Sequence, residues 1–341
     1  MSRLFEMTIL RIGVDGGGTS TRAVVVNEKL EVLGRGEAGS SNHYSVGLAR
    51  AVDHIYAATR DALQAVSSSA NCEEAISHDA SADEAISHDS GSGVAARVSL
   101  WGLGLAGACT QAEQALMRGA LHPLVARLGL RLEAAVVDED AAAAQRGAFG
   151  GGAGIVCIAG TGANAFGIAE NSLRARADGL GPLLGDRGSG YAIGEEAFRA
   201  LCRADDGSGP QTMLLPFVLR CLDIASVDEL VPLVYGPHFS KDRVAALSPI
   251  VLDCARQGDD VANRILREAG CALAATTLAV MRKLDVRLVA PCGGVLARDS
   301  PVRAAFEEAL KQSLPDARIA EPKHDAAVGA SFLVHAADGV S

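Results

Sequence analysis

The 341-residue sequence predicts an α/β fold of two duplicated domains with a cleft between them, and three observations carry that prediction. Residues 8–26 read as strand, glycine turn, strand. Residues 151–169 repeat that order, with a glycine-rich turn, an apolar strand at Ile155–Ala159, a Gly-Thr-Gly turn and a second strand at Asn164–Ala169. Segments of helical periodicity follow both openings, giving two βββαβαβα-like halves. A prior of roughly 100–200 residues per domain fits two domains in a chain of this length.

The elements follow in order. A strand at 8–14 leads through the glycines at 16–18 to the β-branched run 21–26, and a third short strand is predicted at 30–35 after the polar turn Asn27-Glu28-Lys29. Leu48, Val52, Ile55, Ala58, Ala62 and Val66 recur at three-to-four spacing, predicting a helix over 47–66. Residues 67–93 are rich in Ser, Ala, Asp and Glu, and the hexapeptide Glu74–Asp79 recurs at Glu84–Asp89. Two copies make no solenoid, so the stretch reads as a mobile surface insertion, with His78 and His88 as solvated side chains of the duplicated loop. A strand at 94–105, a helix at 111–128 kinked or broken at Pro123, a strand at 132–137 and a helix from Asp140 to Ala148 complete the first half. After the second strand pair, helices are expected at 190–203, 211–222, 226–234, 241–257 and 259–281. A buried strand at 286–290, a helix at 301–312 and a closing helix at 325–337 end the chain. The expected domains are 1–138 and 139–320, with 321–341 returning to the first.

Three glycine loops carry chemistry. Asp15-Gly16-Gly17-Gly18-Thr19-Ser20 lies between two strands, where glycines let backbone N–H groups approach a phosphate and Asp15 suits Mg²⁺ or its waters; a plain hairpin turn is the alternative. Gly160-Thr161-Gly162 again follows an apolar strand. Its spacing to Ala165 also fits a dinucleotide fingerprint, but that needs a helix next, and Phe166-Gly167-Ile168-Ala169 reads as strand. Gly293-Gly294 ends a third strand, where a glycine pair admits a flat adenine ring or makes an ordinary turn. No G-x-x-x-x-G-K-[ST] sequence is present, which excludes a P-loop.

Phosphoryl transfer to a hydroxyl needs a base near the attacking oxygen. Asp140, at a strand-to-helix junction beside Asp138 and Glu139, is the candidate, with simple placement at a helix N-terminus as the structural alternative. Asp186 and Ser189 sit in the polar loop Gly185-Asp186-Arg187-Gly188-Ser189-Gly190, either a ligand loop or a turn. Ser41-Asn42-His43 follows the third strand, where loop amides can bind sugar hydroxyls, with an ordinary surface histidine as the alternative for His43.

Taken together, Gly13–Ser20, Ser40–His43, Gly102–Gly107, Asp140 with Gly147, Ala159–Asn164, Gly181–Gly194, Cys292–Val295 and Asp325–Ala330 resemble, in order and over nearly the whole chain, the BadF/BadG/BcrA/BcrD ATPase family, in its N-acetylglucosamine/glucosamine kinase branch. Residues 67–93 fall outside the resemblance. It implies two actin-like, ribonuclease H-like domains and transfer of the ATP γ-phosphoryl group to the 6-hydroxyl of an amino sugar, N-acetylglucosamine first and glucosamine second. The first two glycine loops would grip the phosphates, Gly293-Gly294 would border adenosine, and Asp140 would act as base. Asn42, His43, Asn164, Asp186 and Ser189 would contact the sugar. A homodimer is the expected assembly. Two departures bear on the substrate: the family often has an acid where Arg187 stands and Ser where Ala163 stands, and Arg187 could pair with Asp186 and weaken its sugar contact. The same wide family includes ATPase activators of radical dehydratases and reductases, but the cysteines show no cluster spacing. A sugar-responsive regulator would carry a helix-turn-helix, for which the dozen or so residues before the first loop are too few.

Composition agrees. Acidic residues outnumber basic ones 41 to 31, for a formal charge of −10, which argues against a broad nucleic-acid surface. The eight cysteines include no C-x-x-C pair and no secretory leader is expected, so the expectation is a reducing cytoplasm. The most apolar stretches, 151–168 and 270–281, are interrupted by glycine or too short to span a bilayer.

Overall fold

The computed structural model describes residues 9–68, 94, 98–236 and 239–334. The duplicated segment 74–89, with His78 and His88, lies outside the described residues, as do 335–337 of the expected closing helix. The chain divides into two units, the described residues of Met1–Gly152 with Lys323–Ser341, and Ala153–Pro322. The division falls after Gly152, so the helix beginning at Asp140, assigned by sequence to the second domain, packs with the first.

In the first unit, strands β1 (Leu10–Gly16), β2 (Ser20–Val26), β3 (Val32–Gly39), β4 (Val98–Leu105) and β5 (Ala134–Glu139) form one sheet in the order β3-β2-β1-β4-β5. The first three strands are antiparallel neighbours, and β4 and β5 run parallel to β1. The second half of β2, Ala23–Val26, is unbroken apolar sequence because both of its faces are covered there. Ala23 and Val25 enter a core with Ile55, Ala58 and Met117, whereas Val24 and Val26 pack with Ala327 and Val328.

Helices α1 (His43–Val46), α2 (Leu48–Ser68), α3 (Gln111–Arg127) and α4 (Asp140–Phe149) complete this stretch of chain. Pro123 leaves α3 a single helix to Arg127, and Thr110 caps its start in a reciprocal arrangement with Glu113.

The second unit repeats the plan. Strands β6 (Gly154–Ala159), β7 (Ala163–Ile168), β8 (Arg174–Asp178), β9 (Leu288–Cys292) and β10 (Arg318–Ile319) are ordered β8-β7-β6-β9-β10. Again three antiparallel strands are extended by two parallel ones, so β6–β10 stand to this sheet as β1–β5 stand to the other. The duplicated α/β architecture is therefore present strand for strand. Helix α5 spans Gly190–Asp205 and α6 Leu214–Leu222. Two short helices follow, α7 (Leu230–Val234) and α8 (Lys241–Ala245), then α9 (Ser248–Arg256). The expected single helix at 241–257 is thus two, with Pro249 in the first turn of the second, where its missing N–H costs nothing. The 25-residue helix α10 (Asp260–Leu284) packs on β6, β7 and β8 and against α11 (Pro301–Ser313). The last helix, α12 (Ala326–Ala330), belongs to the first unit.

Candidate functional site

In the first unit the site is built at one end of the parallel strands. Asp15 pairs with Gly104, and Gly104 with Asp138, forming a row across β1, β4 and β5. The bare Gly104 makes room for α4: a Cβ there would lie 3.4 Å from the Asp140 Cα and overlap the Ala143 methyl. Asp15 and Asp140 consequently share one corner. Burial pushes the Asp15 carboxyl up to about 7, the negative charges of Asp140 and Asp325 push the same way, and Arg22 opposes them. Asp140 occupies the first helical position rather than the cap, which is Glu139, and its Oδ1 accepts the Ala141 N–H at 2.9 Å. The helix dipole favours its charged form there.

The first glycine loop turns tightly, the Gly17 N–H donating to Ser20 O at 2.9 Å, while Ser40 Oγ and the Ser41 N–H both donate to Gly17 O. Gly16 is buried in the ladder, where a Cβ would overlap Ser41 Oγ. Gly18 and Thr19 are exposed, and nothing stands within 4 Å of the place a Gly18 side chain would take. The loop thus presents an open backbone surface braced from behind. Beside it, Asn42 Oδ1 accepts the Tyr44 N–H at 3.1 Å and caps α1, and Asn42 and His43 both lie against Gly107. The Ser41 hydroxyl is buried without a hydrogen-bond partner among the described residues.

In the second unit, β7 follows Gly160–Gly162 directly, which excludes the dinucleotide fingerprint. The Gly160 N–H donates to Gly162 O at 2.9 Å, and the Gly190 and Tyr191 N–H groups tie the turn to the start of α5. Gly160, Thr161 and Gly190 line a cavity of about 420 Å³ together with Gly294, Val295 and Ser300. Thus the second and third glycine signals meet at one hollow. Gly293 has φ +91°, a conformation that suits glycine, and a Cβ there would overlap the Ala159 carbonyl.

Asn164 Oδ1 is buried and lacks a partner among the described residues. Asp186 is 8% exposed, and its Oδ1 accepts the Ala163 N–H at 3.2 Å. Burial raises its pKa, the nearby Asp178 adds to this, and the Ala163 N–H and Lys241 oppose it. The Arg187–Asp186 pair that the sequence allows does not form: Arg187 Nε instead donates to Asp178 Oδ2 at 2.9 Å. Ser189, expected at the sugar, is fully buried, and its hydroxyl accepts the Ala192 N–H as the cap of α5. Asp15, Gly16–Ser20, Asn42, His43 and Asp140 therefore lie in the first unit, and Gly160–Gly162, Asn164, Asp186, Ser189, Gly293 and Gly294 in the second.

The sequence offers no site role for Asp178 or Asp325, and places Ser41 only within the loop whose amides can meet the sugar. Asp325 caps α12 through the Val328 N–H at 2.9 Å and pairs with Arg35 at 3.0 Å. Its place at the head of the Asp325–Ala330 segment was the available signal; for Asp178 there was none, because no strand was predicted at its position.

Two five-stranded sheets of the same order, each with a glycine turn between its first two antiparallel strands, define a duplicated α/β fold of two like units. The chain belongs to the BadF/BadG/BcrA/BcrD ATPase family, whose model matches residues 12–334. An N-acetyl-D-glucosamine kinase of Dictyostelium discoideum is 29% identical over 332 residues, covering 94% of this chain and 96% of the relative. An N-acetylmuramic acid/N-acetylglucosamine kinase of Clostridium acetobutylicum is 31% identical over 202 residues, covering 58% of this chain and 66% of the relative. A crystal structure from Chromobacterium violaceum, provisionally named an N-acetylglucosamine kinase, superposes with a TM-score of 0.68 at 25% identity, covering 96% of this chain and 99% of that one.

Proposed function

We propose that this protein transfers the γ-phosphoryl group of ATP to the 6-hydroxyl of N-acetylglucosamine. The observation that carries the reading is the corner shared by Asp15 and Asp140, two carboxylates with different surroundings beside a glycine turn. Asp140 sits in the first turn of a helix, where the helix dipole favours a negative charge, the form in which a carboxylate accepts the proton of an attacking hydroxyl. Asp15 is pressed by burial and by neighbouring negative charge, the setting in which a cation is welcome.

Mg²⁺ fits there through Asp15 and its waters, and when bound it supplies neutralisation of phosphate charge. Mg²⁺ is a hard cation that keeps several waters and is held through one or two carboxylates and the substrate phosphates, a role that Asp15 would fill. Gly17–Ser20 and Gly160–Gly162 would hold the phosphates by backbone N–H groups, and the cavity bordered by Gly294 would take the adenosine. Asn42, His43, Asn164 and Asp186 would orient the sugar; Ser189 would act by starting α5. The kinase names of the relatives favour this reading over a dehydratase activator.

The proposed compartment is the cytoplasm and the proposed assembly a homodimer, checked by light scattering. Cys157, Cys202, Cys221, Cys254, Cys271 and Cys292 are free thiols, and no described helix is long and apolar enough to cross a membrane.

The test is a coupled assay of Asp140→Asn with N-acetylglucosamine and glucosamine. We expect kcat to fall by about 10²–10⁴-fold, the usual contribution of a positioned base, with the folded state retained. Near-normal turnover in the purified variant would remove Asp140 from the role, and a strong preference for glucosamine would move the substrate assignment.

A further inference from the structure

Asp178 is the last residue of β8, directly opposite Asn164 in the ladder. Its side chain is 1% exposed. A buried carboxylate is retained only with donors around it, and Asp178 has four. Its Oδ1 accepts the Gly179 N–H at 2.9 Å and the Asp186 N–H at 2.6 Å. Its Oδ2 accepts the Arg187 N–H at 3.2 Å and Arg187 Nε at 2.9 Å. The loop 179–185 therefore leaves Asp178 and closes back on it. Gly185 permits the closure, since a Cβ there would overlap Asp178 Oδ1.

The effect continues into the site. Asp186 is held at φ +56°, which a non-glycine residue adopts when its surroundings enforce it. From that position Asp186 Oδ1 reaches the Ala163 N–H at 3.2 Å, and its Oδ2 stands 2.9 Å from where a Gly162 Cβ would be. Three backbone N–H groups and one guanidinium thus orient Asp178, Asp178 orients Asp186, and Asp186 ties down the Gly160–Asn164 turn.

The geometry points to Asp178 as a positioning residue: it holds Asp186 in its left-handed conformation and fixes the neighbouring turn, setting affinity for the sugar without touching it. This rests on the assignment of Asp186 to the sugar made above. Arg187 closes the outer side of the carboxylate but is 62% exposed, so it contributes less than the buried backbone donors.

The experiment compares wild type, Asp178→Asn and Asp186→Asn in the full chain, by amide hydrogen exchange and by kinetics with N-acetylglucosamine. Asp178→Asn keeps the shape but replaces one accepting oxygen by a donor. Exchange at the Ala163 and Asp186 amides should rise at least tenfold, the sugar KM at least tenfold, and the ATP KM less than twofold. Asp186→Asn retains Oδ1 as acceptor, so it should raise the sugar KM while leaving exchange at Ala163 near wild type. Unchanged exchange at Ala163 and Asp186 in Asp178→Asn would overturn the proposal, as would a sugar KM that rises in Asp186→Asn but stays at wild type in Asp178→Asn. Raised exchange with no change in sugar KM in either variant would uphold the positioning and remove Asp186 from the sugar.

Discussion

Cys157 and Cys292 lie on adjacent parallel strands, and burial pushes both thiols up to about 12. A hydrogen bond from Thr277 offsets this only in part at Cys157. Two outcomes are expected. Near pH 7.5 the thiolate is the reactive form, so iodoacetamide should modify the exposed Cys109, Cys221 and Cys271 and spare Cys157 and Cys292 in peptide mapping. The stability consequence has a definite sign. An unfolded thiol ionises near 9.0, whereas the folded pair stays protonated to about 12, so the unfolded chain loses its protons first. Folding stability from this pair is intact below pH 9 and drains away as pH climbs toward 12. Melting curves between pH 9 and 11 should fall less steeply in a Cys157→Ala, Cys292→Ala variant; an unchanged slope would mean the thiols are not held protonated.

At the scale of elements, the placement of Asp15 beside Asp140 depends on how closely α12 lies on the first sheet. A Cβ at Gly13 would overlap the Ala327 carbonyl, one at Gly102 the Ala330 carbonyl, and one at Gly329 the Ala143 carbonyl. Helix α12 therefore seats on backbone rather than side chains, between β1, β4 and α4. Gly102→Ala should cost about 3 kcal/mol, the upper range for forcing a methyl into a packed core, or roughly 6–12 °C in melting temperature for a unit of this size. Gly119 is the contrast: it lies on the exposed face of α3 with nothing within 4 Å of its missing Cβ, so Gly119→Ala should stabilise by about 0.5–1 kcal/mol. Calorimetry of the two variants checks both signs.

The same elements show what a sequence can reveal. Strands β1 and β6 announce themselves as apolar runs leading into a glycine turn and β2 and β7 as the runs that follow it, and Asp15 and Gly160–Gly162 stand out for that reason. Strand β8 was missed because its five residues, Arg-Ala-Arg-Ala-Asp, form a partly exposed edge strand with no apolar signature. Asp178 went unnoticed with it, and so did the partner of Arg187. Ser189 also accepts the Ala192 N–H and so starts a helix, a role that only the cap geometry reveals.

For the whole molecule, the two units differ in how the chain builds them. Ala153–Pro322 is continuous and holds a complete five-stranded sheet with its own cores, from Ile155 and Phe306 to Leu201 and Val244. The other unit is assembled from two distant stretches, because its sheet lacks a cover over Val24 and Val26 until Ala327 and Val328 arrive from the end of the chain. Completeness of a core is what lets a segment fold alone. Residues 153–322 expressed by themselves should therefore give a dispersed amide spectrum and a cooperative melt. Residues 1–152 should not, and should recover both when 323–341 is joined to them through a short linker. A cooperative melt for 1–152 without the terminal segment would show that α12 is dispensable to that sheet. The glycines at 13 and 102 would then owe their identity to something other than the seat they provide for it.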